Sequence, residues 1–278
     1  MHVISAASVD QLVLAGIDHV LQTGEHIGAR AGSAIQSYNV AYTLTDSNDR
    51  VFHLRHPASE RYMCRELLAF FRGSLRAADG LLHASRRWAQ YSDSNGLIWS
   101  NYGHYVFYER VHGMTQYEWV LAVLSRNASS RRAVININQA YHKDITNSDF
   151  PCAISLQFYI RQDTLHCCIL SRSEDLYSGL PYDMAFFSFL TELVAVDLGT
   201  RLGRFLAVGT TTVLCTFTQI YERNKPHLEA LRKRAQDEEV SAIRMPAISD
   251  PTQVIRDIYN DSAESAVIRW IRSYAELG

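Results

Sequence analysis

The chain has 278 residues, 47% of them hydrophobic and 20% charged, with a formal net charge of −2. That balance fits a soluble globular chain with room for one large core or two small ones. It excludes a broad basic face for nucleic acid or membrane, so any phosphate has to be held by local arginines.

Ser8 to Gln22 has helical spacing behind a serine cap. Gly24 to Gly32 reads as a loop holding Arg30, and Ala34 to Thr45 alternates as a strand closed by a turn over Asp46 to Arg50. Arg61 to Arg72 predicts a helix stopped by Gly73, and Leu75 to Gln90 a second, more polar helix. An aromatic loop follows from Tyr91 to Tyr108, then a helix from a Thr115 cap through Leu124 and a β-type run over Ala133 to Asn138. Ala153 to Ile160 and Leu165 to Leu170 read as a strand pair around Gln162-Asp163. Met184 to Val196 is almost wholly apolar and predicts a buried helix. Arg204 to Tyr221 is β-rich, Lys225 to Val240 a charged helix, Met245 to Ala247 a short strand, and the segments 251–259 and 262–274 helical or mixed. Strands and helices intersperse without strict alternation, so the expectation is a single α+β domain over residues 1–278.

The five cysteines are Cys64, Cys152, Cys167, Cys168 and Cys215; no spacing resembles a metal site. The N-terminus lacks a basic region followed by an apolar core, and no apolar run reaches membrane-spanning length. The expectation is a cytoplasmic enzyme with free thiols.

One stretch carries the chemistry. Cys152 stands behind Pro151 at the mouth of a strand, and only its thiolate would be a strong nucleophile. Arg172-Ser173, one hairpin later, offers a guanidinium fork and a hydroxyl, a match to phosphate. Arg131-Arg132 is a second candidate clamp and Arg30 a third. Glu66, among Leu67, Leu68 and Phe70, is either a desolvated general acid/base or a surface carboxylate paired with Arg65 or Arg61. Asp183 is either a helix cap or a carboxyl that reads a heterocycle, accepting from an exocyclic amine and donating to a ring nitrogen when protonated.

In order, Arg30, Glu66-Leu67-Leu68-x-Phe70-x-x-Gly73, Trp88-x-x-Tyr91-x-Asp93-x-x-Gly96 and Tyr102-Gly103 open a longer pattern. Arg131-Arg132-Ala133-Val134, Pro151-Cys152, Arg172-Ser173-x-Asp175-x-x-x-Gly179-x-Pro181-x-Asp183 and Gln219-x-Tyr221 continue it. Over roughly Gly28 to Asn224 the chain thereby resembles the thymidylate synthases, most closely their pyrimidine-nucleotide hydroxymethylase branch. The resemblance implies a large mixed sheet flanked by helices and a sheet-to-sheet homodimer. It implies a Cys152 that adds to pyrimidine C6 while 5,10-methylenetetrahydrofolate delivers a one-carbon unit to C5. Arg30, Arg172 and Ser173 would bind the nucleotide phosphate, with Arg131 and Arg132 reaching the phosphate of the neighbouring subunit. Glu66 would manage protons, Tyr102 would line the cleft, and Gln219 and Tyr221 would hold the sugar. Trp88, Tyr91, Asp175 and Gly179 would border the folate.

Four departures from the thymidylate synthase pattern refine the expectation. Asp183 replaces an asparagine suited to uracil and favours cytosine. Ala153 replaces the histidine after the nucleophile. Gln219 replaces the histidine of a strand motif, and only after an insertion; a gap-free register would put Val213 and Cys215 there instead. The last residues lack the apolar closing tail that excludes water during hydride transfer. The expected reaction is 5-hydroxymethylation of CMP or dCMP, finished by water. The alternatives are a dUMP/UMP hydroxymethylase or methylating synthase, and a non-catalytic nucleotide-binding homologue.

Overall fold

The computed structural model describes residues 1–29, 32–236 and 243–276. Its frame is a seven-stranded mixed sheet built from β1 (His2–Ala6), β2 (Glu25–Ala29), β3 (Gly32–Leu44), β6 (Val134–Asn136), β7 (Ala153–Arg161), β8 (Thr164–Asp175) and β9 (Ala207–Tyr221). The order is β1-β3-β9-β8-β7-β6, with β2 hairpinned onto β3. The minor strands β4 (Arg110–Val111) and β5 (Met114–Thr115) pair separately. The helices are α1 (Val9–Thr23), α2 (Ala58–Arg72), α3 (Gln116–Arg126), α4 (Leu180–Leu202), α5 (Leu228–Arg234), α6 (Pro251–Asn260) and α7 (Ala266–Ala275).

Local chemistry sets these boundaries. Ser8 caps α1 by accepting from the Gln11 amide at 3.2 Å, and Thr115 with Glu118 forms a capping box on α3. Gly73 ends α2 at φ 61°, where a Cβ would also strike the Tyr108 ring at 2.1 Å. The parallel neighbours β8 and β9 are joined by α4, a 23-residue crossover buried along nearly its whole length. Phe186, Phe187 and Phe189 are fully buried, with Phe186 and Phe189 against Phe70 and Phe71 of α2 and Phe187 against Tyr102.

Several expectations fail for physical reasons. Residues 75–90 form three short 3₁₀ turns, at Ala77–Asp79, Leu81–His83 and Arg86–Tyr91, because Gly80 takes a non-helical backbone conformation and the segment pairs through Arg76 with Leu97. The segment expected as a loop from Gly24 contains β2, whose polar residues hide its ladder with β3. Residues 245–247 form no strand; of the helix expected over 225–240, Leu228–Arg234 is α-helical behind a 3₁₀ turn at Glu222–His227, and residues 237–240 lie outside the described residues. Tyr91 to Tyr108 is irregular, but closes in a π-helical turn over His104–Tyr108. The short strand β1 was not anticipated. Among the described residues no helix is long and apolar enough to cross a membrane.

The core holds a buried arginine–glutamate ion pair. Arg50 donates to Glu192, both side chains being almost fully buried, and Glu192 also accepts from the Ile248 amide at 2.8 Å. Two further nitrogens of Arg50 have no partner, so the glutamate is its only charged compensation there. Glu192→Ala is therefore expected to destabilise the fold by about 3–5 kcal/mol in urea unfolding, while replacing both partners by apolar residues costs far less. A loss below about 1 kcal/mol for the single change would contradict a buried, dependent pair.

Candidate active site

A cleft of about 820 Å³ opens beside the carboxyl ends of β8 and β9, where the chain leaves β8 for α4. Its size suits a drug-sized or larger ligand. Cys152, Glu66, Tyr102, Asp183, Arg172, Ser173, Gln219, Tyr221, Trp88, Tyr91, Asp175 and Gly179 all line it. The sequence scatters these residues over more than 150 positions; the β8-α4-β9 crossover and the packing of α2 against α4 gather them.

Cys152 lies immediately before β7, half-buried. Its carbonyl accepts from the Arg172 amide at 2.9 Å, which fixes β8 alongside. The Arg172 side chain is anchored at its base: Nε donates to the Pro151 carbonyl at 3.1 Å and Nη2 to the Phe150 carbonyl at 2.5 Å. The same Nη2 stands 3.7 Å from Cys152 Sγ. Burial pushes the Cys152 thiol up to about 12, against the lowering pull of Arg172; Glu174, Asp183 and Asp149 push it further up. The free protein therefore holds a thiol with its stabilising cation already beside it.

Two expected acids are buried. Glu66 is not paired with Arg65 or Arg61 on the surface: it points inward and accepts from the Tyr62 hydroxyl at 2.6 Å. Arg65 instead donates to the Ala275 carbonyl at 2.7 Å. Burial raises Glu66 to about 8, opposed by the Tyr62 hydrogen bond and reinforced by Asp183. Asp183 does not cap α4, whose N-cap is Gly179; it lies within the first turn, with Pro181 ahead of it. It accepts from the Tyr102 hydroxyl at 3.3 Å, and burial raises it to about 7. Tyr102 reaches Asp183 because Gly103 lets its loop touch α2: a Cβ at 103 would lie 1.7 Å from the Phe70 carbonyl oxygen. The Tyr102 ring then stacks on Phe70 and Phe187.

The remaining wall follows from strand register. Asp175 pairs with Gln219 across β8 and β9, and Ser173 and Gln219 exchange hydrogen bonds through their side chains at 3.1–3.3 Å. Val213 and Cys215, the alternative positions, are buried in the core. Asp175 accepts from the Tyr177 amide at 2.9 Å and so makes the turn into α4, as well as facing the cleft. Trp88 and Tyr91 meet edge to face at 5.6 Å, and Trp88 donates to the Tyr62 hydroxyl at 3.3 Å. Arg131 and Arg132 are exposed and stand outside this cleft; Arg132 lies over Trp119. Arg30 falls outside the described residues.

Sequence reasoning missed several lining residues: Arg55, Tyr62, Glu174, Tyr182 and Arg223. Arg55 donates to the Tyr182 hydroxyl and lies 4.3 Å over the Tyr177 ring. Its position before a proline in an irregular segment gave no periodic signal. Glu174 sits between two motif residues, and strand alternation gave no clue to it: Leu165, Cys167, Ile169 and Ser171 are the buried positions before it, the opposite phase.

A cysteine beside a fixed guanidinium, buried acids and an aromatic wall are grouped at one end of a mixed sheet, a set of residue types suited to group transfer. The family model described as thymidylate synthase matches residues 12–262. The chain belongs to the thymidylate synthase family, whose members are one-carbon transferases acting on pyrimidine nucleotides with methylenetetrahydrofolate as co-substrate. The cleft fits both groups: Arg172 and Ser173 offer anion donors, and the Trp88–Tyr91 wall offers a flat apolar surface for a pterin.

The state of the thiol can be read by alkylation. Iodoacetamide labelling of Cys152, followed on its peptide by mass spectrometry, should be slow at neutral pH and keep rising above about pH 10. Arg172→Gln should slow it further, by about tenfold. A rate that levels off near about pH 7 would mean a preformed thiolate.

Proposed function

We propose that this enzyme is a cytidylate 5-hydroxymethylase acting on CMP or dCMP. The observation that carries the reading is the Asp183 carboxyl, buried in the cleft wall, accepting from Tyr102, and with a pKa raised to about 7. Such a group accepts from the exocyclic amine of cytosine and, when protonated, donates to ring N3. Uracil presents the opposite pattern, an acceptor O4 and a donor N3–H, and would meet a carboxyl poorly.

In this reading Cys152 gives its proton to water in the cleft as its sulfur bonds to C6, and Arg172 stabilises the developing thiolate through the 3.7 Å contact. Ser173 and Arg172 receive the 5′-phosphate, joined by Arg30. Glu66, held by Tyr62, exchanges protons with water near the base. Gln219 and Tyr221 border the sugar, and Trp88, Tyr91, Asp175 and Gly179 border the folate, which supplies the one-carbon unit when bound. Water completes the hydroxymethyl group, so no hydride transfer is required.

A homodimer belongs to the same proposal. The helices pack on one face of the sheet; the other leaves Tyr159 and Leu170 each 43% exposed. Joining two such faces would cover them, and would offer Arg131 and Arg132 to the partner's phosphate. The five free cysteines agree with a reducing, cytoplasmic setting.

Incubation with each of CMP, dCMP, UMP and dUMP plus methylenetetrahydrofolate tests the proposal. A cytidylate should gain the mass of a hydroxymethyl group with no dihydrofolate absorbance, and Cys152→Ala should abolish the gain. Asp183→Asn should shift preference toward uracil by at least about 100-fold. Dihydrofolate formation, or uridylate as the sole substrate of the unaltered enzyme, would overturn the assignment.

A further inference from the structure

Glu174 has no place in the chemistry above, yet its side chain enters the same cleft. It is 1% exposed, lies on β8 between Ser173 and Asp175, and lines the cavity. Its Oε1 is buried without a hydrogen-bond partner. Its Oε2 lies beneath the first turn of α4, 3.5 Å from where a Cβ on Gly179 would be. The Asp183 amide donates to the Gly179 carbonyl at 3.0 Å, which sets Asp183 one turn beyond that point and in electrostatic contact with Glu174.

We propose that Glu174 is the positioning residue for Asp183: it keeps its own proton and donates it in a hydrogen bond to the Asp183 carboxyl whenever Asp183 gives its proton to ring N3 of a cytosine base. The inference rests on the cytidylate reading and adds the group that makes its proton step affordable in a buried site. As the S–C6 bond forms, the C5–C6 π pair shifts to C4–C5 and the C4–N3 pair moves to N3. N3 takes the Asp183 proton; Asp183 becomes a carboxylate and accepts from the Glu174 hydroxyl. Elimination of the thiolate returns N3's proton to Asp183. Without Glu174, the carboxylate would keep only the Tyr102 hydroxyl.

The surroundings favour one retained proton. Facing Glu174 are Ser171, Arg172 and Asp175 on its own strand, Asp183 on α4, Tyr42 on β3, Cys215 on β9, and Cys152 and Tyr102 across the cleft. Glu66 faces Asp183 from α2. The lone strand cation, Arg172, is committed to the Phe150 and Pro151 carbonyls. Burial, then the Asp183 charge, raises Glu174 well above the carboxylate range. Two carboxyl groups buried this close oppose each other's ionisation, so the pair retains a proton between them.

Glu174→Gln keeps an N–H donor and Glu174→Leu removes it. The Leu variant should lose about 30-fold in kcat on the cytidylate with KM little changed, and the Gln variant should stay within about threefold. Infrared titration of the ligand-free proteins provides the second readout. The wild type should show a protonated carboxyl persisting above neutral pH that vanishes in Glu174→Gln, and the Asp183 titration should move upward in Glu174→Leu. No such carboxyl at neutral pH, or a Leu variant with unchanged kcat and Asp183 titration, overturns the inference; if that variant fails to fold, the Gln infrared comparison decides it. Cytidylate turnover without the pair overturns this inference alone. The pair without cytidylate turnover overturns the cytidylate reading and the N3 role together.

Discussion

Everything in the cleft is referred to one side chain, Arg172. Its guanidinium is tied to two carbonyls of the segment that precedes β7 and so cannot swing away from Cys152. The same bonds pin the mouth of β7 to β8, which makes the position of Cys152 a consequence of strand pairing. A cation held this way costs little rearrangement when charge develops on sulfur, the condition under which electrostatic stabilisation is most effective. The arrangement leaves the resting thiol protonated because the cleft is buried and its acids oppose a second negative charge.

Those acids are the second constraint. Glu66, Glu174 and Asp183 come from α2, β8 and α4, and all three are buried. Close burial of like groups forces them to hold protons at pH values where an exposed carboxylate has none. Each thereby becomes able to donate as well as accept. Tyr62 and Tyr102 select which of them ionise more readily, by donating to Glu66 and Asp183.

Much of this was legible in the sequence. Glu66 on an apolar helix, Cys152 behind a proline and the Arg-Ser pair are local patterns, whereas the register that puts Gln219 opposite Asp175 is a property of the β8–β9 ladder that the sequence left open. The wholly apolar helix was recognised, although it extends from Leu180 to Leu202, further than its apolar run, because Glu192 and Asp197 are buried by partners distant in sequence. What escaped notice depends on tertiary contact. β2 is held by its ladder rather than by composition, and the 3₁₀ turns after Gly73 answer to the neighbouring loop rather than to helix propensity. Glu174 looked like a spacer between two motif residues; only the crossover to α4 turns it into the neighbour of Asp183.

The central claim is that Cys152 bonds to C6 of a cytosine nucleotide in this cleft. A 5-fluorinated cytidylate, incubated with the protein and methylenetetrahydrofolate, cannot release its C5 substituent as a proton and should be trapped. Mass spectrometry of the digested protein is expected to find nucleotide and folate together on the Cys152 peptide, and none in Cys152→Ser. An adduct formed only from the 5-fluorinated uridylate, or on a different cysteine, would contradict the account.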